Sequence, residues 1–184
     1  LRSPHAHARI ISIDTRRAEA MPGVKAVVTG SDLPQDPERM VDLGLGPVRL
    51  QFIRENILAG DKALYKGHPI AAVAATSLHL ADEAIALIEV EYETLPSVTT
   101  VQEAMVDNAP LLHDSLRTSE GGEMGDAPTN VASHLQLAMG DIDQGFNEAD
   151  VIVERTFNTK TVHQGYIEPH NSTALWNTDG RLNI

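Results

Sequence analysis

Apolar and polar positions alternate over residues 8–13, and residues 24–29 are rich in Val, so both stretches predict β-strands, the first running 8–14. Between them residues 16–20 predict a short helical turn. It ends at Met21-Pro22-Gly23, because Pro cannot continue a helix and Gly accepts the backbone angles of a tight bend. Residues 31–37 read as loop, and residues 38–59 are ambiguous by periodicity. After the turn Lys66-Gly67-His68-Pro69, residues 70–75 form an apolar run suited to a buried strand, and Thr76 or Ser77 is placed to cap a helix. Ala81, Ala84, Ile85 and Ile88 then fall at 0, +3, +4 and +7, one face of that helix, with Asp82 and Glu83 suited to its first turns. The period next switches to two: Ile88, Val90 and Tyr92 alternate with Glu89, Glu91 and Glu93, a strand with a carboxylate face toward water. Strand, helix and strand in succession predict a crossover unit, right-handed if both strands share a sheet.

Beyond residue 108 the pattern weakens. Residues 109–150 carry eight acidic residues against one basic, with Gly121, Gly122, Gly125, Pro110 and Pro128 and few large apolar side chains. Such a stretch buries too little to offset its ordering entropy and predicts an extended linker, poorly ordered near its middle, with a short helix at 141–147 capped by Asp141. Val151, Val153, Arg155 and Phe157 alternate with Ile152, Glu154 and Thr156, which predicts a new strand over 151–159. A turn at Asn177-Thr178-Asp179-Gly180 precedes the closing residues 181–184, whose strand partners are expected elsewhere. With Leu1 in the first position, the chain is expected to be an internal piece of a longer protein.

Composition then narrows the function classes. A chain of 184 residues and 19.9 kDa has room for a real core, and its formal charge of −12 repels phosphate backbones and anionic lipid, against a nucleic-acid or membrane-surface role. Cysteine is absent, so no disulfide, zinc ribbon, iron–sulfur ligation or thiol nucleophile lies in these residues. No apolar run nears the ~20 residues of a membrane span; absent cysteine fits either redox state but is ordinary for a cytosolic chain, so a cytoplasmic location is the expectation.

Several constellations invite chemistry. His5 and His7 lie two apart and His163 and His170 seven apart, but neither spacing is a zinc signature, and hydrogen bonding is the simpler fate of these rings. Glu89, Glu91 and Glu93 could serve as acid–base carboxylates, although alternating acids on a strand mark a solvated face. Gly44-Leu45-Gly46-Pro47 lacks a phosphate-cradling pattern, since Pro47 removes a donor. The densest polar cluster is His163-Gln164-Gly165-Tyr166-Ile167-Glu168-Pro169-His170-Asn171, beside Ala174, Leu175 and Trp176. Its polar groups need partners, which makes it a candidate interface or site wall.

These strings carry a resemblance. Leu1-Arg2-Ser3-Pro4-His5-Ala6-His7-Ala8-Arg9-Ile10, Met21-Pro22-Gly23-Val24 into Val27-Val28-Thr29, and Lys66-Gly67-His68-Pro69-Ile70-Ala71-Ala72-Val73-Ala74 follow in order. Ala81-Asp82-Glu83-Ala84 into Val90-Glu91-Tyr92-Glu93-Thr94-Leu95-Pro96, and Glu168-Pro169-His170 with Ala174, complete the series. Together they resemble the large molybdenum-binding subunit of the xanthine dehydrogenase, aldehyde oxidase and aerobic carbon monoxide dehydrogenase family. The resemblance implies an α+β fold: an α/β hammerhead domain at 1–108, an acidic Gly-rich linker at 109–150, and the first strands of a truncated molybdopterin-binding domain at 151–184. It further implies oxidation of an aldehyde, an N-heteroaromatic compound or carbon monoxide, with water as oxygen source, at molybdenum–molybdopterin in its dinucleotide form. Electrons would leave through [2Fe–2S] and FAD parts, in a dimeric complete enzyme whose partners include the rest of the molybdenum-binding subunit. The family's Gln-bearing strand, Gly-Gly-Phe-Gly-Gly loop and glutamate base lie downstream of Ile184, so no catalytic, cofactor-binding or metal residue transfers to this chain, and the fragment is expected to be inactive alone. His163, Gln164, Glu168 and His170 remain as supporting or interface residues. The competing readings are an acidic protein-interaction module and, more weakly, a small self-sufficient enzyme, for which no nucleophile, base and orienting group can be placed together.

Overall fold

The computed structural model describes residues 1–184 except Pro37, Leu43, Leu45, Gly46, Pro169 and His170, and divides into two compact units, Leu1–Gln136 and Leu137–Ile184. The first opens with β1 (Ala8–Asp14), a helical turn α1 (Arg16–Glu19) and β2 (Val24–Thr29), followed by a 3-10 turn at Gly30–Asp32. The ambiguous stretch resolves into a hairpin, β3 (Met40–Asp42) and β4 (Pro47–Arg49), and a helix α2 (Leu50–Ile57). Then come β5 (Lys62–Ala63), β6 (Ala71–Ala75), α3 (Leu78–Ile85), β7 (Glu89–Thr94) and α4 (Val101–Met105).

Two small sheets organise these elements. In one, β1 is central, antiparallel to both β5 and β7; in the other, β2 pairs antiparallel with β6. The expected crossover unit is therefore corrected: β6 and β7 flank α3 as predicted, but β6 joins β2 and β7 joins β1, so the condition of a shared sheet is not met. Local pattern defines the strands, while the partner of each depends on which side of α3 the earlier strands occupy.

A bulge in β1 settles its burial. Ile10 pairs with Tyr92 and Ser12 with Glu91, leaving Ile11 as the extra residue. In a regular strand Ile10 and Ile13, three apart, would face opposite sides; with the bulge both pack against the buried cluster of Ala59, Ala63 and Ile70, and Ile11 is exposed. A second cluster, Ala18, Ala71, Ala84 and Ile88, gathers Val24, Val27 and Val90 around α3. Ser77 caps that helix by accepting from the Leu80 N–H at 3.3 Å. The alanine-rich core brings backbones close together. A Cβ on Gly30 would stand 2.1 Å from the Ala59 carbonyl oxygen, so only glycine fits there.

Residues 109–136, expected as an extended linker, instead pair with themselves. β8 (Arg117–Glu120) and β9 (Glu123–Pro128) form a hairpin through Gly121 and Gly122, both at positive φ, and β10 (Ser133–His134) joins β8 in parallel. Local turn chemistry supplies the order that burial does not. In the second unit, α5 (Ile142–Glu148) is capped by Asp141, which accepts from the Gln144 N–H at 2.8 Å, as expected. Residues 151–159 form no strand, because their alternating edge finds no partner among the described residues of this unit. The closing strand does find one: β11 (Leu175–Trp176) and β12 (Leu182–Asn183) close a hairpin over the Asn177–Gly180 turn, correcting the expectation of partners elsewhere.

Candidate functional site

The densest built polar centre surrounds Glu55, near the end of α2. Gln51, one helical turn earlier, donates to Glu55 Oε1 at 2.8 Å, the i,i+4 spacing that brings both side chains to one face. His113 approaches Glu55 Oε2 through Nδ1 at 3.4 Å, and Arg54 reaches Oε1 at 3.8 Å while also donating to Gln35 Oε1. Burial alone would raise the Glu55 carboxyl, but the bonds from His113 and Gln51 and the nearby charges of His113 and Arg54 hold it below the usual carboxylate range. The backbone of the same residue is engaged too: Glu55 O accepts from His68 Nε2 at 2.6 Å, and His68 Nδ1 accepts from the Leu64 N–H at 3.1 Å. Both ring nitrogens are thus committed in the neutral Nε2–H form. His68 is wholly buried and stacked on Tyr65 at 4.4 Å, and burial pushes its imidazole down despite its bond to Glu55.

Beside this centre Lys62, on β5, donates to Asp114 Oδ1 at 2.9 Å, and Phe52 meets the His113 ring edge-on at 5.2 Å. A cleft of about 250 Å³ lies between Gln51, Glu55, Lys62 and residues 112–115. Sequence reasoning missed Glu55, Lys62 and His113. The one local signal was the Gln51–Glu55 spacing inside a stretch whose periodicity was ambiguous. His113 and Asp114 come from about fifty residues away in the chain.

The other histidines have structural fates. His5 packs edge-on against Tyr92 at 5.0 Å, and His7 is buried with Nδ1 bonded to Pro96 O at 2.6 Å. His7 Nε2 is buried without a hydrogen-bond partner among the described residues. Ser3, also buried, joins this corner by accepting from the His5 N–H at 3.1 Å. The acids of β7 face outward and meet the polar sides of β1 and α1: Glu93 with Arg9 at 3.0 Å and Glu91 with Ser12 at 3.4 Å on β1, and Glu89 with Arg17 at 2.8 Å on α1. They are surface pairs with no substrate-sized enclosure of their own.

The predicted cluster in the second unit is laid out differently. His163 Nδ1 accepts from the Gly165 N–H at 3.2 Å and its ring lies 5.0 Å from Tyr166; Gln164 and Glu168 are exposed, and His170 lies outside the described residues. A cavity of about 320 Å³ in this unit is lined by Ile142, Phe146, Ala149, Val151 and Val153, apolar side chains that offer nothing to a phosphate or a pterin edge. Among the described residues no group of three or more His, Asp or Glu is placed to hold a metal ion. The described residues therefore do not by themselves assemble a cradle for a molybdenum–pterin group. No helix among them is long and apolar enough to cross a membrane.

A sheet centred on β1, a second pairing β2 with β6 and the helix α3 packed against that second sheet define a first unit of mixed α+β class, followed by a second, smaller unit whose large apolar side chains are exposed. The chain belongs to the aldehyde oxidase and xanthine dehydrogenase family: that family's a/b hammerhead domain matches residues 1–96, and a molybdopterin cofactor-binding domain matches residues 124–184. It is 36% identical to the probable hypoxanthine oxidase XdhD of Escherichia coli O157:H7, covering 92% of this chain and 20% of that protein. It is 31% identical to the nicotinate dehydrogenase large molybdopterin subunit of Eubacterium barkeri, covering 100% of this chain and 38% of that protein. Among solved structures, the reconstituted CO dehydrogenase from Oligotropha carboxidovorans matches with a TM-score of 0.59 and 35% identity over 82% of this chain and 18% of that one. The chain spans about a fifth of the length of the first of these relatives. The hammerhead and the start of a molybdopterin-binding domain expected from the sequence are thus both present, and the relatives are molybdenum hydroxylase large subunits.

Proposed function

We propose that this chain contributes the hammerhead scaffold and the opening of the cofactor-binding region to the large subunit of a molybdenum hydroxylase, divided as hammerhead at 1–108, connector at 109–150 and cofactor-binding region from 151. The observation that carries this reading is the order of the two family matches, hammerhead first and molybdopterin domain second, within one chain. The complete enzyme oxidises an aldehyde, an N-heteroaromatic compound or carbon monoxide with water as the oxygen source. Molybdenum held by a pterin dinucleotide carries that chemistry when bound, and the protein supplies binding and orientation. Partner parts bearing [2Fe–2S] clusters and FAD take the electrons in a dimeric cytoplasmic assembly; its multi-subunit character is supported by relatives whose names include carbon monoxide dehydrogenase large chain and a dehydrogenase complex subunit.

No step of the reaction is assigned to residues of this chain. His163, Gln164, Glu168 and His170 act by completing hydrogen bonds inside the full subunit. The test places Glu168→Gln and His170→Ala in that subunit and measures molybdenum content, Tm and kcat/KM together. A structural role lowers Tm and molybdenum content along with activity. Full occupancy and normal Tm with a selective loss of kcat/KM would assign these residues to the substrate route and contradict the scaffold reading. Dye-linked assay of the loaded wild-type enzyme against a panel of aldehydes, azaheterocycles and carbon monoxide tests the activity, and failure on all three classes would overturn it.

A further inference from the structure

Residues 97–123 lie between the two family matches and include the first part of the connector proposed above, which within the first unit does not leave the hammerhead freely. At Leu111 and Leu112 it is held from both sides. Lys62 Nζ reaches the Leu111 carbonyl at 3.5 Å, and Asn130 accepts from the Leu112 N–H at 3.1 Å while donating to the carbonyls of Ala104 and Pro110, each at 3.0 Å. The next two residues reach two different elements: His113 Nδ1 lies 3.4 Å from Glu55 Oε2 on α2, and Asp114 pairs with Lys62 on β5 at 2.9 Å. The hammerhead partners are the constrained members, since the Glu55 and Lys62 side chains are 17% and 11% exposed, whereas Asp114 is 76% exposed.

We propose that Glu55 and Lys62 form an electrostatic latch that fixes residues 111–115 against the hammerhead and so sets where the connector departs toward the cofactor-binding region. Adjacent residues, each matched by its own partner, define a register. A slip of one residue in one direction would set Asp114 against Glu55 with Ser115 facing Lys62, and in the other would set His113 against Lys62 with Leu112 facing Glu55, so either slip loses both pairings. The hammerhead partners are tied down in turn. Glu55 is held by Gln51 through its side chain and by His68 through its backbone, so the latch is built on a wholly buried ring. Glu55 and Lys62 are positioning residues, and they touch no reacting group. Their consequence for cofactor loading rests on the function proposed above, while the latch itself does not.

Hydrogen exchange with mass spectrometry on this chain tests the latch. Asp114→Asn changes an exposed side chain and leaves the fold undisturbed; Lys62→Met keeps the apolar stem. Each is expected to speed exchange at residues 110–116 by about fivefold or more, with β1 and β7 unaffected. The swap Lys62→Glu with Asp114→Lys should restore protection, which a merely steric role would not produce. Unchanged exchange in both single variants would overturn the latch, as would acceleration spread equally through β1 and β7. In the complete subunit, Glu55→Gln and Lys62→Met should lower molybdenum occupancy at least about twofold below wild type, and equal occupancy would overturn the positioning role. A wild-type subunit without molybdenum would instead contradict the functional reading and the positioning role with it, with the exchange result standing by itself.

Discussion

His68 shows how one side chain can support a region. Its ring is wholly buried, it spends Nδ1 on the Leu64 N–H and Nε2–H on the Glu55 carbonyl, and Tyr65 covers its face. His68→Ala leaves both backbone groups unpaired, at about 1–3 kcal/mol each, and urea titration should find the chain destabilised by that order. Because burial depresses the folded-state imidazole below its ordinary value of about 6.5, the unfolded chain takes up the proton first. The stability contributed by His68 is therefore complete above about pH 6.5 and is lost as pH falls from there toward the folded value. Glu55 adds a second, more acidic window: its carboxyl is held below the ordinary value, so its contribution is present above the usual carboxylate range and fades as pH falls through the folded value. Denaturant midpoints from about pH 2 to pH 8 should decline in both windows, with the upper decline reduced in His68→Gln. An upper decline of equal size in that variant would show that other histidines carry it. Gly30 makes a different demand. Gly30→Ala places a Cβ on the Ala59 carbonyl and should cost about 1–3 kcal/mol or more, read as a fall in Tm.

At the scale of elements, the parts legible in the sequence are those whose signal is local. β1, β2, α3 and β7 each carry their own period, and Ser77 and Asp141 cap helices as their side chains and positions suggest. Ser77→Ala should cost about 1 kcal/mol of stability. The bulge was not legible, because the adjacent Ile10 and Ile11 leave open which of them faces the core and only pairing with β7 shows which is surplus. Its consequence is measurable: Ile11→Thr should change stability by less than about 0.5 kcal/mol, whereas Ile70→Ala, at a wholly buried position, should cost about 2–5 kcal/mol. β3, β4 and α2 were hidden by brevity, three residues in each strand and eight in the helix. The centre at Glu55 was hidden by distance. It needs residues 55, 68 and 113 together, and no spacing rule joins them. The 163–171 cluster was visible as composition, yet composition marks a need for partners without naming them.

For the whole molecule, charge and fold point the same way. Net charge is −12, the core is built of small residues, and the two family matches put a hammerhead domain ahead of a cofactor-binding domain. Large apolar residues of the second unit, including Phe157, Ile167 and Trp176, are exposed, consistent with a unit completed by further protein rather than by water. On the function proposed above, this chain shapes and latches while the rest of the subunit supplies the residues that hold molybdenum. The measurement that tests this most directly is molybdenum by plasma mass spectrometry on two proteins produced side by side in a molybdenum-replete host, this 184-residue chain and the complete subunit with its partners. The account predicts metal at near one per subunit in the complete protein and none retained by the chain. Stoichiometric molybdenum on the chain alone would contradict it.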